Sequence, residues 1–250
     1  MPHELEEHHT PEAIRERLSG GPDHSYLRDF IYGAIDGSVT TFAVVAGVSG
    51  AQLSAGVVII MGMANLFADG FSMAASNYLG TRAEKQVRDQ ARATEQEHIN
   101  RIPEGEREEI RQIFAAKGFT GRDLEQAVQI ITSDHHQWVE TMLREELGIA
   151  PEIRSARKAA LFTFIAFVLF GLIPLLPYIY EMITKNKPPY VLPISVALTG
   201  IALFMIGALK SRFVQQTWMR AGLETLAVGG SAATLAYLVG VLLKGVGAGM

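Results

Sequence analysis

The stretch 32-YGAIDGSVTTFAVVAG-47 carries a single charged side chain, Asp36, in an otherwise uncharged run. A carboxylate near the centre of a membrane helix costs about 2.5–3.5 kcal/mol on insertion scales, and such residues usually mark an ion or proton path. Whether the surrounding chain crosses a membrane therefore decides both the fold and the meaning of Asp36.

Working outward, no Lys or Arg occurs from Phe30 to Thr81, and the only acids there are Asp36 and Asp69. Ala159–Tyr180, Pro188–Leu209 and Thr225–Leu243 contain no charged residue. The chain is 48% hydrophobic and 19% charged, with a mean hydropathy of +0.18. A soluble domain of this length spreads more charge more evenly. A bilayer core needs about 20 apolar residues in helix, so each of the three uncharged blocks reads as one span. The first block is too long for one helix and breaks near "GVSGAQLSAG". The expected spans are 31–51, 54–80, 158–182, 190–210 and 223–244. Pro174 and Pro177 are expected to kink the third. The fold class is thus an all-α integral membrane protein of five transmembrane helices, with a cytoplasmic helical domain inserted between spans two and three.

The opening "MPHELEEHHTPEAIRERL" has no apolar core and does not read as a secretory signal. The tail "HELEEHH" offers weak metal binding at most. The absence of cysteine excludes disulfides, thiolate metal sites and a Cys nucleophile. The net charge of −4 is too small to argue from, and no nucleic-acid partner is expected. Arg15, Arg17 and Arg28 precede span one, twelve basic residues lie between spans two and three, and Lys210, Arg212 and Arg220 lie between spans four and five. Only Lys185, Lys187 and Lys244 lie on the other side. The positive-inside rule then puts the N-terminus and the large insert in the cytoplasm. The expected division is 1–29 as a cytoplasmic segment, 30–81 as spans one and two, 82–157 as a metal-binding domain and 158–250 as spans three to five.

The insert reads as helix throughout. "TRAEKQVRDQARATEQEHINRI" continues span two up to Pro103, and "PEGEREEIRQIFAAKG" runs from Pro103 to a stop at Gly118. Leu124, Ala127, Val128 and Ile131 share one helical face. "SDHHQWVETMLREELG" starts at an expected Ser133 cap, turns Trp138, Met142 and Leu143 inward, and ends at Gly148.

Two groups of residues carry candidate chemistry. In span two, Met61, Asn65, Asp69 and Met73 recur every fourth residue and form one stripe of a helix. Thioether sulfur beside oxygen tilts a site toward transition metals. A carboxylate that binds a cation when ionised and a proton when neutral suits exchange of metal for H⁺. The bland readings are packing for the Met stripe and close helix packing at Gly33 and Gly37 around Asp36. Glu181 reads as an interfacial acid, and Glu224 stays open. In the insert, Glu95 and His98 are three apart, as are Glu106 and Glu109, while Met142 and Glu146 are four apart with Glu145 adjacent. Meeting helices would gather a set suited to Fe²⁺, Mn²⁺ or Zn²⁺; the bland reading is a solvated, Glu-rich face. His135 and His136 read equally as a polar helix start. Glu95-x-x-His98 is half of the di-iron motif of ferritin-like bundles, but the second Glu-x-x-His is missing.

"AIDGSVTTFAVVAGVSGA", "MANLFADGFSMAASNYL", the acidic helical insert, "WVETMLREELG" and "GLIPLLPY" occur in that order. Together they resemble the vacuolar iron transporter family over about 30–245 of the chain. The resemblance implies a five-span homodimer in the lipid bilayer with its path at the subunit interface. It implies proton-coupled movement of Fe²⁺ out of the cytosol, with Mn²⁺ and other divalent ions as candidates, and no enzymatic activity. It places Asp36 and Met73 on the path and assigns metal ligation to Glu95, Glu106, Glu109, Met142 and Glu146, with His98 where another Glu is expected. Asn65 stands where plant members carry a path Glu, and Asp69 is the candidate replacement. On this reading Asp36 exchanges metal and protons at the dimer interface, with its flanking glycines allowing close approach. The expected location is a prokaryotic inner membrane. The alternative is a membrane-anchored iron-binding protein: a ferroxidase, a store or a sensor.

Overall fold

The computed structural model describes residues 10–19, 26–149, 154–185, 190–212 and 216–244. The tail 3–9 and Lys187 lie outside them. The described residues are helical, without strands: α1 Pro11–Ser19, α2 Leu27–Gly50, α3 Ala55–Arg101, α4 Pro103–Ala116, α5 Gly121–Ser133, α6 His135–Glu145, α7 Ala156–Gly171, a 3₁₀ turn Ile173–Leu175, α8 Leu176–Thr184, α9 Val191–Lys210 and α10 Trp218–Leu243. The chain divides into two compact units. One takes its helices from α1 and Gly80–Ser155; the other comprises Ser25–Leu79 and Ala156–Met250.

Five helical stretches are long and apolar enough to cross a membrane, Leu27–Gly50, Ala55–Arg101, Ala156–Thr184, Val191–Lys210 and Trp218–Leu243; all lie in the second unit except the part of Ala55–Arg101 beyond Leu79. The first and last begin four or five residues earlier than hydropathy alone suggests, because helical hydrogen bonding continues past the first charged side chains. The third is interrupted where Pro174 and Pro177 lack the N–H groups an unbroken helix needs. The Ser195 hydroxyl donates to the Pro174 carbonyl across 2.7 Å and so partners one carbonyl at the break.

Helix α2 packs against α7, α9 and α10. A Cβ at Gly33 or Gly37 would overlap the carbonyl oxygen of Thr163 or Phe167, and one at Gly240 would overlap that of Gly47. The glycines flanking Asp36 therefore let α7 of the same chain approach α2. This is the close helix packing that the small-residue spacing suggests. An apolar core around Phe42, Val45, Val58 and Leu175 fills the unit at one end of α2, and Ile31, Ala34, Ala166 and Ile206 pack together near the other.

The Gly80–Ser155 unit closes the rest of α3, α4, α5 and α6 around Ile99, Ile110, Val128, Trp138, Met142 and Leu143. Pro103 opens α4, and Gly118 follows its end at φ +95°. The cap of α6 is Asp134, whose carboxylate accepts from the backbone N–H groups of His136 and Gln137. Ser133 instead ends α5, with its hydroxyl donating to the Ile130 carbonyl. An ionised carboxylate at a helix N-terminus also meets the positive end of the helix dipole, which a hydroxyl does less well.

Candidate metal sites

Helical spacing puts Glu95 and His98 on one face of α3, one turn apart. Glu106 comes from the first turn of α4, just past the Pro103 start. One donor atom from each of these three side chains lies within 4.8 Å of the others. Nδ1 of His98 is 3.6 Å from a carboxylate oxygen of Glu106. Two metal–donor bonds of about 2.1 Å span at most about 4.2 Å, so the widest donor separation needs to close by no more than about 0.6 Å. The half-exposed His98 side chain has room to do so.

Burial separates these acids from ordinary surface glutamates. Glu95 is 4% exposed and Glu106 2%, and Oε2 of each has no hydrogen-bond partner. A buried polar atom without a partner costs about 1–3 kcal/mol, more when charged. Burial, then the negative charges of Glu109 and Glu95, push the Glu106 carboxyl up to about 7, against a smaller opposing effect of His98. Burial also raises Glu95 and Glu146; Glu109 adds to both, and Glu95 to Glu146. Glu109 and Glu146, themselves exposed, are thus close enough for their charge to act on the buried acids. Met142 is fully buried in the apolar core of the same unit.

Other glutamates of the unit behave differently. Glu108 and Glu125 are held low by hydrogen bonds, from Gln112 and Arg111 to the first and from Arg111 to the second. Glu145 is held low by Lys117 and pairs with it at 2.5 Å, so it is engaged elsewhere. Among the described residues, neither Glu95 nor Glu106 has a Lys or Arg partner. A solvated face laced with arginines fits the first group and not the second. Carboxylates plus imidazole, with unfilled acceptor sites facing inward, form a donor set for Mn²⁺, Fe²⁺ or Zn²⁺. His135 and His136 sit exposed at the start of α6 and join no such group among the described residues.

In the apolar unit, Asp36 on α2 is half-buried and Asp69 on α3 is exposed. They are near enough for the charge of Asp69 to act on Asp36. Asn65 and Met73 are half-buried and Met61 is exposed, so the stripe lies along one edge of α3. The amide nitrogen of Asn65 is buried without a partner. On the face of α3 turned away from the stripe, Ile60, Phe67 and Phe71 are more than half exposed.

Two polar clusters escaped the sequence reading. Asn77 Nδ2 donates to Asp29 Oδ1 at 3.0 Å and to Thr163 Oγ1 at 2.8 Å, tying α2, α3 and α7 together. Glu140 on α6 accepts from both Arg88 and Arg92 of α3. An Asp at the edge of a block without Lys or Arg was a weak signal for the first. The partners of the second are about fifty residues apart, with no local sign of pairing.

The sequence profile of the VIT family matches residues 27–241. The vacuolar iron transporter of Plasmodium berghei (strain Anka) is 33% identical over 228 residues, covering 89% of this chain and 84% of the relative. Vacuolar iron transporter 1 of Arabidopsis thaliana is 32% identical over 241 residues, covering 96% and 92%. The vacuolar iron transporter of Toxoplasma gondii (strain ATCC 50861 / VEG) is 33% identical, covering 88% and 74%.

Proposed function

The chain belongs to the VIT family, and from that premise we propose that it is a proton-coupled transporter that moves Fe²⁺ out of the cytosol. Mn²⁺ is the second candidate substrate, with Zn²⁺ a further candidate ligand of the insert. The observation that carries the reading is the pair of buried, unpartnered carboxylate oxygens of Glu95 and Glu106 beside His98. The names of the relatives supply iron.

In this reading 82–157 is a cytoplasmic domain that captures metal through Glu95, His98 and Glu106, with Glu109, Met142 and Glu146 completing the set. The basic residues that flank the apolar spans support that orientation, with 1–29 also cytoplasmic. Residues 30–81 and 158–250 form the membrane part, in a prokaryotic inner membrane. The path runs past Asp36, Asn65, Asp69 and Met73. A carboxylate that binds a cation when ionised and a proton when neutral suits the exchange of metal for H⁺ along this path. The exposure of Met61 and Asp69 on the stripe itself supports a second copy of the chain covering it, so that the path is closed by a homodimer.

The test is anaerobic Fe²⁺ and Mn²⁺ flux into proteoliposomes with and without an acidic lumen. Uptake that depends on the pH gradient, and is lost in Asp36→Ala while the insert still binds metal, is the expected result. Binding without flux in either direction overturns transport and leaves a store or sensor. Oxygen consumption on adding Fe²⁺ would favour a ferroxidase.

A further inference from the structure

A cavity of about 850 Å³ opens on the apolar unit, away from the carboxylates of the path. Its walls include Phe30, Phe170, Leu198 and Met205, and Trp218 and Arg212 are at one end. Edge-to-face contacts between Phe30 and Phe170, and between Phe204 and Trp218, stiffen the walls. All of these residues lie in one compact unit.

Length, polarity and charge along the groove follow a membrane leaflet. The thirteen residues of α9 from Leu198 to Lys210 rise about 18 Å. Half of a bilayer's hydrocarbon is about 15 Å. The apolar part of the groove therefore runs from mid-membrane to the level where a headgroup begins. Trp218 is placed where tryptophans gather at that boundary. Lys210 pairs with Glu224 at 3.7 Å. Exposed Arg212 makes no ion pair among the described residues, so it is the cation left at the mouth.

We propose that this groove seats an anionic glycerophospholipid: one acyl chain lies along the Phe170–Met205 wall, and its phosphate and acidic headgroup meet Arg212 beside Trp218. An apolar trough alone would accept any chain; the arginine at the mouth selects a negative headgroup, and its planar fork fits phosphate oxygens. The proposal is independent of which ion is carried.

Native mass spectrometry of the full chain, released from nanodiscs of equal phosphatidylglycerol and phosphatidylcholine with the same acyl chains, tests it. The wild type should retain phosphatidylglycerol preferentially. Arg212→Ala should lower that preference roughly fivefold, the effect of one basic contact at an anionic surface, without changing phosphatidylcholine retention. Met205→Trp, which fills the trough, should lower retention of both lipids while helical content and melting stay as in the wild type. Equal retention of the two lipids by the wild type, or an unchanged preference in Arg212→Ala, overturns the headgroup assignment. A Met205→Trp protein that keeps its lipid but changes oligomeric state assigns the groove to a second copy of the chain and overturns the proposal.

Discussion

Replacing Glu106 with Gln probes the insert cluster at its most perturbed group. Burial, then Glu109 and Glu95, raise this carboxyl from 4.5 to about 7. Its folded value lies above its unfolded one, so between those two pH values the folded chain holds a proton that the unfolded chain releases. Below the window Glu106 costs nothing. As pH rises through it the folded state loses stability, and above about 7 the full cost is present. At about 1.4 kcal/mol per pKa unit, the gap from 4.5 to about 7 corresponds to roughly 3 kcal/mol. A Gln amide brings donors of its own that need partners, so the net gain at pH 8 should be roughly 1–2 kcal/mol. The assay is urea unfolding of the full-length, metal-free protein in detergent, followed by Trp138 fluorescence in a Trp218→Phe background, which removes the only other tryptophan. The wild-type midpoint should fall from pH 5 to pH 8; the variant should show a smaller fall and be the more stable protein at pH 8. Adding Mn²⁺ should invert the order at pH 8, stabilising the wild type and not the variant. Because metal and proton compete for one carboxylate, metal affinity should weaken as pH drops through about 7. A wild-type midpoint that does not change with pH refutes the reasoning, as does a metal-free Glu106→Gln protein less stable than wild type at pH 8.

Gly37→Ala should destabilise the apolar unit by about 3 kcal/mol, because its Cβ would overlap the Phe167 carbonyl oxygen, whereas Gly230→Ala, with nothing within 4 Å, should be neutral or slightly stabilising. Thermal unfolding in detergent of the two variants checks this, and equal melting points would contradict the packing. Glu140→Gln should cost about 2 kcal/mol in the insert, since Arg88 is buried and both arginines lose their shared carboxylate; the same Trp138 unfolding curve measures it. Asn77→Ala should cost about 1–3 kcal/mol by taking a donor from the buried Asp29. It should also loosen α2 against α7, seen as faster amide exchange around Thr163.

Much of the architecture was legible because a membrane span is a one-dimensional signal. The run from Phe30 to Thr81, free of Lys and Arg, marks two spans without reference to any contact, and Pro174 marks a break because its ring removes a donor wherever it sits. Ligand spacing was legible for the same reason: Glu95 and His98 share a face by helical period alone. The Ser133 cap failed because Ser133 and Asp134 are adjacent and both can cap. Which one does depends on where α5 stops. Close packing at Gly33 and Gly37 was legible from the small-residue pattern, but its partner helix, α7, was not.

The sequence by itself determined that this chain is a helical membrane protein with five spans, an acidic helical insert and two carboxylates in its first two spans. It did so because hydropathy and helical period are local properties of consecutive residues. Only the tertiary structure decided which acids are special. Glu106 and Glu108 are two residues apart in one helix and alike in chemistry. The first is shut away with an oxygen that nothing satisfies; the second is paired with Arg111 at the surface. Burial and the charges of other helices make that difference, and both depend on residues brought together from far along the chain.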